Sequence, residues 1–164
     1  MIKYESQRVA VLIDVQNLYY SAKNLYGAKV NFKEVLKAAT AGRNLIRVLA
    51  YVVKTKTGEE RPFFNALKRL GIEIRIRPLQ EYIGGLKKAD WDVGITIDAI
   101  RISPSVDTIV LASGDGDFLQ LVEYLKNQGK RVEIIAFGKT TSSQLKKVAD
   151  EFIDLDKNPE RFLL

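Results

Sequence analysis

The chain has 164 residues, of which 46% are hydrophobic and 28% are charged, and this balance predicts a single globular domain over residues 1–164 with its core at about residues 8–155. It contains no cysteine and no histidine, which excludes disulfides, thiol nucleophiles, Ser-His-Asp triads and Cys/His zinc sites. The formal net charge of +6 suits a polyanionic partner such as nucleic acid.

The sequence gives no indication of contact with a membrane. No apolar run approaches the roughly 20 residues that a membrane span needs, and the first six residues lack the apolar segment of a signal peptide. We therefore expect a cytoplasmic protein.

The amino-terminal half alternates between apolar strands and amphipathic helices. Residues 8–14 form an apolar run that ends in Asp14, and a helix is predicted from Leu18 to its stop at Gly27. Asn17 is a candidate N-cap for this helix, whereas Asp14 ends the strand and has no such role in this interpretation. The elements predicted next are a helix at 31–40, a strand at 45–53, a helix from about 62 to 70 and a strand at 72–77. The strict alternation in the last strand is typical of an edge strand.

The middle of the chain is harder to interpret. Residues 78–88 lack periodicity and contain two adjacent glycines, so we expect a mobile surface loop. Residues 90–100 fit both a helix and a half-buried strand. We favour the helix, with Val93, Ile97 and Ile100 facing inward, because a parallel sheet needs a right-handed crossover at this point.

The predicted crossover helix carries several aspartates. Asp92 lies in its first turn, and Asp98 faces a direction about 120° away, so the two cannot bind the same ion. Asp98 is expected to be structural. The simplest role for Asp90 or Asp92 is to complement the positive end of the helix.

A second apolar strand, at 108–112, leads into two carboxylates that are separated by one glycine. Asp115 and Asp117 precede a helix that runs from Phe118 to a stop at Gly129. Asp117 alone fits an N-cap, with Gln120 completing a capping box. A second carboxylate beside it adds a repulsion of roughly 2 to 4 kcal/mol at an effective dielectric of about 20, which a bound cation would relieve.

The remaining elements complete an α/β pattern. We expect a strand at 130–137, a helix capped by Ser142, a short strand at 152–155 and a peripheral tail. This alternation predicts a doubly wound, three-layer α/β/α sandwich around a mainly parallel sheet.

The predicted topology brings acidic residues together at one edge of the sheet. If the strands that precede Asp14 and Asp115 are neighbours at the switch point, their carboxylates meet there, and the crossover helix can add Asp92. Such a group of hard oxygen ligands is typical of an Mg²⁺ or Mn²⁺ site, which suits phosphodiester hydrolysis.

Three motifs in order resemble the NYN-domain family, in particular its LabA-like branch within the PIN-like nucleases. They are Val11 to Asn17 (VLIDVQN), Lys88 to Ala99 (KADWDVGITIDA) and Ser113 to Phe118 (SGDGDF). The resemblance extends from about Arg8 to Leu155. It implies a PIN-like sandwich and an Mg²⁺- or Mn²⁺-dependent ribonuclease that acts on RNA.

The resemblance also implies roles for individual residues. The acidic site would consist of Asp14, Asp92, Asp115 and Asp117, and Asp90 competes with Asp92 for its place. Asn17 and Ser113 would be polar supports of this site, and we group them with the candidate nucleic-acid contacts.

Basic and aromatic side chains near the site are further candidates for contact with RNA. The basic candidates are Lys87, Lys88, Arg61, Lys54, Arg75 and Arg77. Each of them could instead be an ordinary solvated charge. Tyr82 and Trp91 could stack on bases, although core packing is an equally good role for Trp91.

Two other functions remain as alternatives. The same fold could bind RNA or a protein without catalysis, with a vestigial or structural metal site. A small-molecule phosphatase is disfavoured, because Gln16 stands where such an enzyme places a second aspartate. A nucleotide cofactor is not expected, because the Gly114 to Leu119 stretch lacks the third glycine of a dinucleotide motif and places carboxylates where a pyrophosphate would lie.

Overall fold

The structure, a computed structural model, describes the backbone of residues 3–81, 87–88 and 90–164 and the side chains of residues 3–79 and 90–164. Its centre is a six-stranded sheet with the order β3-β2-β1-β6-β7-β8, in which all neighbours are parallel. These strands are β1 (Arg8–Asp14), β2 (Asn44–Lys54), β3 (Glu73–Pro78), β6 (Thr108–Ala112), β7 (Arg131–Ala136) and β8 (Glu151–Asp154). The predicted edge position of β3 is confirmed.

Helices cover both faces of the sheet. They are α1 (Val15–Tyr26), α2 (Phe32–Thr40), α3 (Arg61–Arg69), α4 (Asp92–Ile102), α5 (Leu119–Asn127), α6 (Ser143–Val148) and α7 (Pro159–Phe162). The first three and α7 pack into one apolar cluster, and α4, α5 and α6 pack into a second. Successive β1 residues point alternately into these two clusters. The predicted three-layer α/β/α sandwich is therefore confirmed.

The sheet changes its winding direction between β1 and β6. From β1 the chain winds outward through β2 to β3, then crosses by way of α4 to β6 and winds outward again through β7 to β8. The crossover supplied by α4 confirms the choice of helix over strand for this segment. Within the described ranges, no helix combines the length and the apolar character that a membrane crossing requires.

The inward face predicted for α4 is wrong. Val93, at 71% exposure, points to solvent, and Ile97 and Ile100 are also exposed. The buried side chains are those of Ile95, Asp98, Ala99 and Ile102. Asp98 is fixed there because its carboxylate accepts hydrogen bonds from the Tyr51 hydroxyl (2.8 Å) and the Arg75 guanidinium (3.1 Å), so its expected structural role agrees with these contacts.

Two other predictions of local structure need correction. The segment predicted as a mobile surface loop contains two short strands, β4 (Gln80–Glu81) and β5 (Lys87–Lys88), which pair antiparallel. Residues 82–86, with Tyr82, lie outside the described residues. The carboxyl-terminal tail is not peripheral, because Phe162 is buried in the core and its carbonyl accepts the backbone N–H of Asn31.

A buried ion pair joins the segment before β2 to β7. The side chains of Arg43 and Glu133 are fully buried, and the guanidinium donates two hydrogen bonds to the carboxylate at 2.8 and 2.9 Å. Arg131 donates a third at 2.7 Å. Burial raises the pKa of Glu133, but the hydrogen bonds from Arg43 and Arg131 outweigh it and hold that pKa below its ordinary value.

We expect Glu133→Gln to destabilise the fold by about 3 to 5 kcal/mol, because it leaves the Arg43 charge buried without its counterion. Urea denaturation of the variant and of the wild type measures this difference. Glu123→Gln is the matched control, since Glu123 is exposed on α5, and its effect should stay within about 0.5 kcal/mol. Equal stability of the wild type and Glu133→Gln would contradict the structural role of the pair.

Candidate metal and RNA site

The carboxyl ends of β1 and β6 lie side by side at the switch point of the sheet. Ile13 is in register with Ala112, so the residues that follow them, Asp14 at the end of β1 and Ser113 just after β6, come next to each other along the two chains. Open α/β sheets bind their ligands at such a position.

Ser113 links the two strand ends. Its buried hydroxyl donates a hydrogen bond to Asp14 Oδ2 (2.9 Å) and accepts one from the backbone N–H of Asp115 (3.2 Å). One hydroxyl therefore fixes both a carboxylate on β1 and the start of the loop that carries Asp115.

The cap of α1 differs from the prediction. Asp14 is the N-cap, because its Oδ1 accepts the backbone N–H of Asn17 (3.3 Å), and the helix accordingly begins at Val15. The prediction that Asn17 caps the helix is wrong. Asn17 instead accepts the backbone N–H of Gly114 through Oδ1 (2.9 Å), which ties the loop after β6 to α1.

The cap predicted at Asp117 is also wrong. A single 3₁₀ turn at Gly116–Phe118 precedes α5, and Asp115 caps it by accepting the backbone N–H of Asp117 (2.9 Å). Among the described residues, no group donates a hydrogen bond to the Asp117 carboxylate. That carboxylate is exposed beside Asp115, so capping does not account for its position.

Three carboxylates form the tightest acidic group among the described residues. One oxygen each of Asp92, Asp115 and Asp117 lies within 4.8 Å of the other two. Asp14 is outside this triad, but it borders the cavity that Asp92 and Asp115 also line. Of the two competing residues on the crossover segment, Asp92 joins the triad, while Asp90 accepts the backbone N–H of Asp92 (3.1 Å) and lines the cavity beside it.

The pKa values record this concentration of negative charge. Partial burial and the neighbouring Asp115, Asp90 and Asp14 raise the pKa of Asp92 from 3.8 to about 7. Burial also raises the pKa of Asp14, although its hydrogen bonds from Ser113 and Asn17 oppose the change. Within the described part of the chain, no lysine or arginine forms an ion pair with any of the four predicted site aspartates.

This donor set fits a divalent cation. Three converging carboxylate oxygens are the hard ligands that Mg²⁺ and Mn²⁺ prefer. A cation among them would offset both the partial burial and the mutual repulsion that raise the pKa of Asp92. The chain has no histidine or cysteine that would favour a softer metal.

A cavity of about 370 Å³ opens over the acidic group. Its lining includes several residues that the sequence analysis did not assign to the site: Gln16, Tyr20, Ser21, Asn24 and Thr140. Gln16, Tyr20 and Asn24 are spaced by four, so they occupy one face of α1. This spacing can be read from the sequence, but the apolar face of the same helix is the clearer pattern and indicates only that the helix packs on the core.

The predicted contacts with nucleic acid have different positions. Arg61 lines a separate pocket together with Lys54, and the side chains of Lys87 and Lys88 lie outside the described residues. Arg75 pairs with Asp98 at 3.1 Å. Trp91 is half-buried, and its Nε1–H donates to the carbonyl of Val52 (2.9 Å), which favours packing over stacking on a base.

Comparison with known proteins agrees with this architecture. The NYN domain model matches residues 8–156. The low amplitude and bright protein LabA of Synechococcus elongatus is 27% identical over 93% of this chain and 86% of its own length. An uncharacterized protein of Methanocaldococcus jannaschii is 32% identical over 43% of this chain and 30% of its own length.

A solved structure agrees over the full length. The crystal structure of a protein of unknown function from Vibrio parahaemolyticus superposes with a TM-score of 0.89 at 35% identity, and the match covers 100% of both chains. Together with the family match over residues 8–156 and the acidic group at the switch point, this shows that the chain belongs to the NYN domain family, within the PIN-like nuclease superfamily.

Proposed function

We propose that this protein is a ribonuclease that depends on Mg²⁺ or Mn²⁺ and hydrolyses RNA phosphodiester bonds at the acidic group. The observation that carries the proposal is the convergence of Asp92, Asp115 and Asp117 within 4.8 Å. Membership of the NYN family supports it, because the superfamily includes nucleases.

In this proposal Asp92, Asp115 and Asp117 hold the metal. A divalent ion bound there supplies positive charge that stabilises the phosphate in the transition state and lowers the pKa of the attacking water. The three side chains come from two segments, the start of α4 and the turn after β6. The site therefore forms only when the chain is folded.

Asp14 is the proposed general base. Each of its oxygens accepts one hydrogen bond, from Ser113 or from the backbone of Asn17, and each keeps a lone pair that can accept a proton from water. Burial raises the pKa of Asp14, which brings its basicity closer to what catalysis near neutral pH requires. Ser113 and Asn17 are positioning residues in this scheme.

The face of α1 beside the cavity suits an unpaired nucleotide. Tyr20 is 53% exposed and lines the cavity between Gln16 and Asn24. An exposed tyrosine ring can stack on any base, and the amides on either side can donate to and accept from base edges. Because a base in a duplex is already stacked on its neighbours, this surface favours single-stranded RNA.

We expect the purified protein to cleave labelled single-stranded RNA in Mn²⁺ or Mg²⁺ and to lose all activity in EDTA. Asp14→Asn and Asp115→Asn should each lower kcat by at least about 100-fold, because each removes a proposed base or metal ligand. Glu123→Gln removes one charge from an exposed position on α5 and should retain full activity.

Persistent cleavage in EDTA or in Asp14→Asn would indicate a contaminating nuclease and contradict the proposal. Binding of RNA without any cleavage would favour a regulatory protein that uses the same fold.

Metal binding should depend on pH. In the metal-free protein the pKa of Asp92 is about 7, above its ordinary value of 3.8. The folded state thus binds more protons than the unfolded state between these values, and stability falls as pH rises through this window. A metal ion competes with the proton, so it should raise Tm far more at pH 8 than at pH 5.5.

Thermal unfolding with and without Mn²⁺ measures this difference. Asp92→Asn should reduce both the fall in metal-free stability and the gain from metal. A gain in Tm that is the same at both pH values would contradict the role of Asp92 as a ligand.

Tyr20→Ala should raise KM for single-stranded RNA by about tenfold, because stacking on one base contributes about 1 to 3 kcal/mol. Tyr20→Phe keeps the ring and should keep most of the affinity. Tyr124→Ala, at another exposed tyrosine that lies on α5 away from the cavity, is the control. Steady-state kinetics in which Tyr20→Ala and Tyr124→Ala behave alike would refute the stacking role.

A further inference from the structure

A second concave site lies beside the end of β2. It has a volume of about 500 Å³ and is lined by the end of β2, the following loop, one face of α3 from its first to its last turn, and Ile76 of β3. Four cationic side chains line it: Lys54, Lys56, Arg61 and Lys68. Below, this site is called the basic pocket.

The charges of the basic pocket are largely uncompensated. None of its four cations forms an ion pair with a described carboxylate, whereas Arg8, Arg43, Arg47, Arg75, Arg131 and Arg161 all do. Among the residues that the structure describes, Glu60 is the single carboxylate in the lining. It accepts the backbone N–H of Thr55 and so fastens the loop, leaving the four cations in clear excess.

The backbone adds to this positive potential. The pocket includes the first residue of α3, and no side chain caps this helix end. The partial positive charge of the helix end adds to that of the four cations and is offset in part by the carboxylate of Glu60, the N-cap residue. Phe64 and Ile76 form the apolar part of the lining. A concave surface with excess cationic charge suits a phosphate group.

The acidic cavity and the part of the basic pocket that is formed by the end of β2 lie along the same edge of the sheet, the one where the strands have their carboxyl ends. Asp14 at the end of β1 is in register with Tyr51 of β2, and Lys54 ends that strand three residues later. Trp91 lines the acidic cavity and bonds to the carbonyl of Val52, two residues before Lys54. A strand of RNA in the acidic cavity can therefore continue along this edge to the basic pocket.

We infer that the basic pocket binds backbone phosphates of the same RNA strand that enters the acidic cavity. The inference rests on the proposed function for the identity of the ligand. It adds that the enzyme holds its substrate at a second position, away from the bond that is cut. Short products contact only one of the two positions and leave more readily than the intact strand.

The test measures binding without turnover, so it remains informative if the protein proves not to be an enzyme. Fluorescence anisotropy follows a labelled oligouridylate of about twelve nucleotides, a length within the range of single-strand sites, binding to the Asp115→Asn protein. In this background the variant Lys54→Gln/Arg61→Gln/Lys68→Gln removes three cations of the basic pocket.

The matched control removes three exposed cations at the opposite edge of the sheet. Lys37, Arg101 and Lys147 lie near the ends of helices that lead to the amino ends of strands β2, β6 and β8. Their triple substitution by glutamine changes the net charge equally. Circular dichroism of both triple variants verifies that each remains folded.

We expect the pocket variant to bind the strand at least about tenfold more weakly. Its association constant should also fall less steeply with salt, so that the slope of log K against log salt concentration decreases in magnitude by about one for each lost contact. The control variant should lose less than about twofold. Equal losses in the two variants, or no loss in the pocket variant, would overturn the inference. Displacement of the strand from the pocket by uridine monophosphate at equal phosphate concentration would also overturn it, because that result indicates a mononucleotide site.

Discussion

The hydrogen bond from Ser113 to Asp14 is the interaction on which the site depends. It joins the ends of two central strands that are about one hundred residues apart in sequence. Because the same hydroxyl also accepts the backbone N–H of Asp115, the loop after β6 is held in one position. Asn17 reinforces this arrangement through the backbone of Gly114. The parallel pairing of β1 with β6 therefore determines where the carboxylates of Asp14 and Asp115 lie.

This arrangement concentrates negative charge that the described part of the protein does not neutralise. Partial burial, together with the repulsion from the neighbouring carboxylates, raises the pKa of Asp92 to about 7. Buried Arg43 and Glu133, in contrast, satisfy each other. The chain thus contains one buried charge cluster in which cations and carboxylates are paired, and another whose excess negative charge a divalent ion would neutralise. Only the second lies in an open cavity at the switch point.

The sequence predicts the framework of this site well. The apolar runs that end at Asp14 and before Ser113 are unambiguous because the central strands are covered on both faces, and residues at their carboxyl ends meet if the strands are neighbours. The roles of the caps were not predictable, because Asp14 and Asn17 are both good cap residues and only the tertiary contact of Asn17 with Gly114 separates them. The prediction of which face of α4 points inward was wrong for a related reason. Its apolar residues form two possible stripes, and the burial of Asp98 by Tyr51 and Arg75 decides between them. Neither partner is near Asp98 in sequence.

The central claim is that Asp92, Asp115 and Asp117 together bind a divalent ion. Crystals of the protein grown with Mn²⁺, with anomalous diffraction recorded near the manganese edge, test this claim most directly. We expect an anomalous peak within bonding distance of all three carboxylates, at roughly 2.0 to 2.3 Å from their oxygens. A map in which saturating Mn²⁺ leaves no peak between these side chains would contradict it.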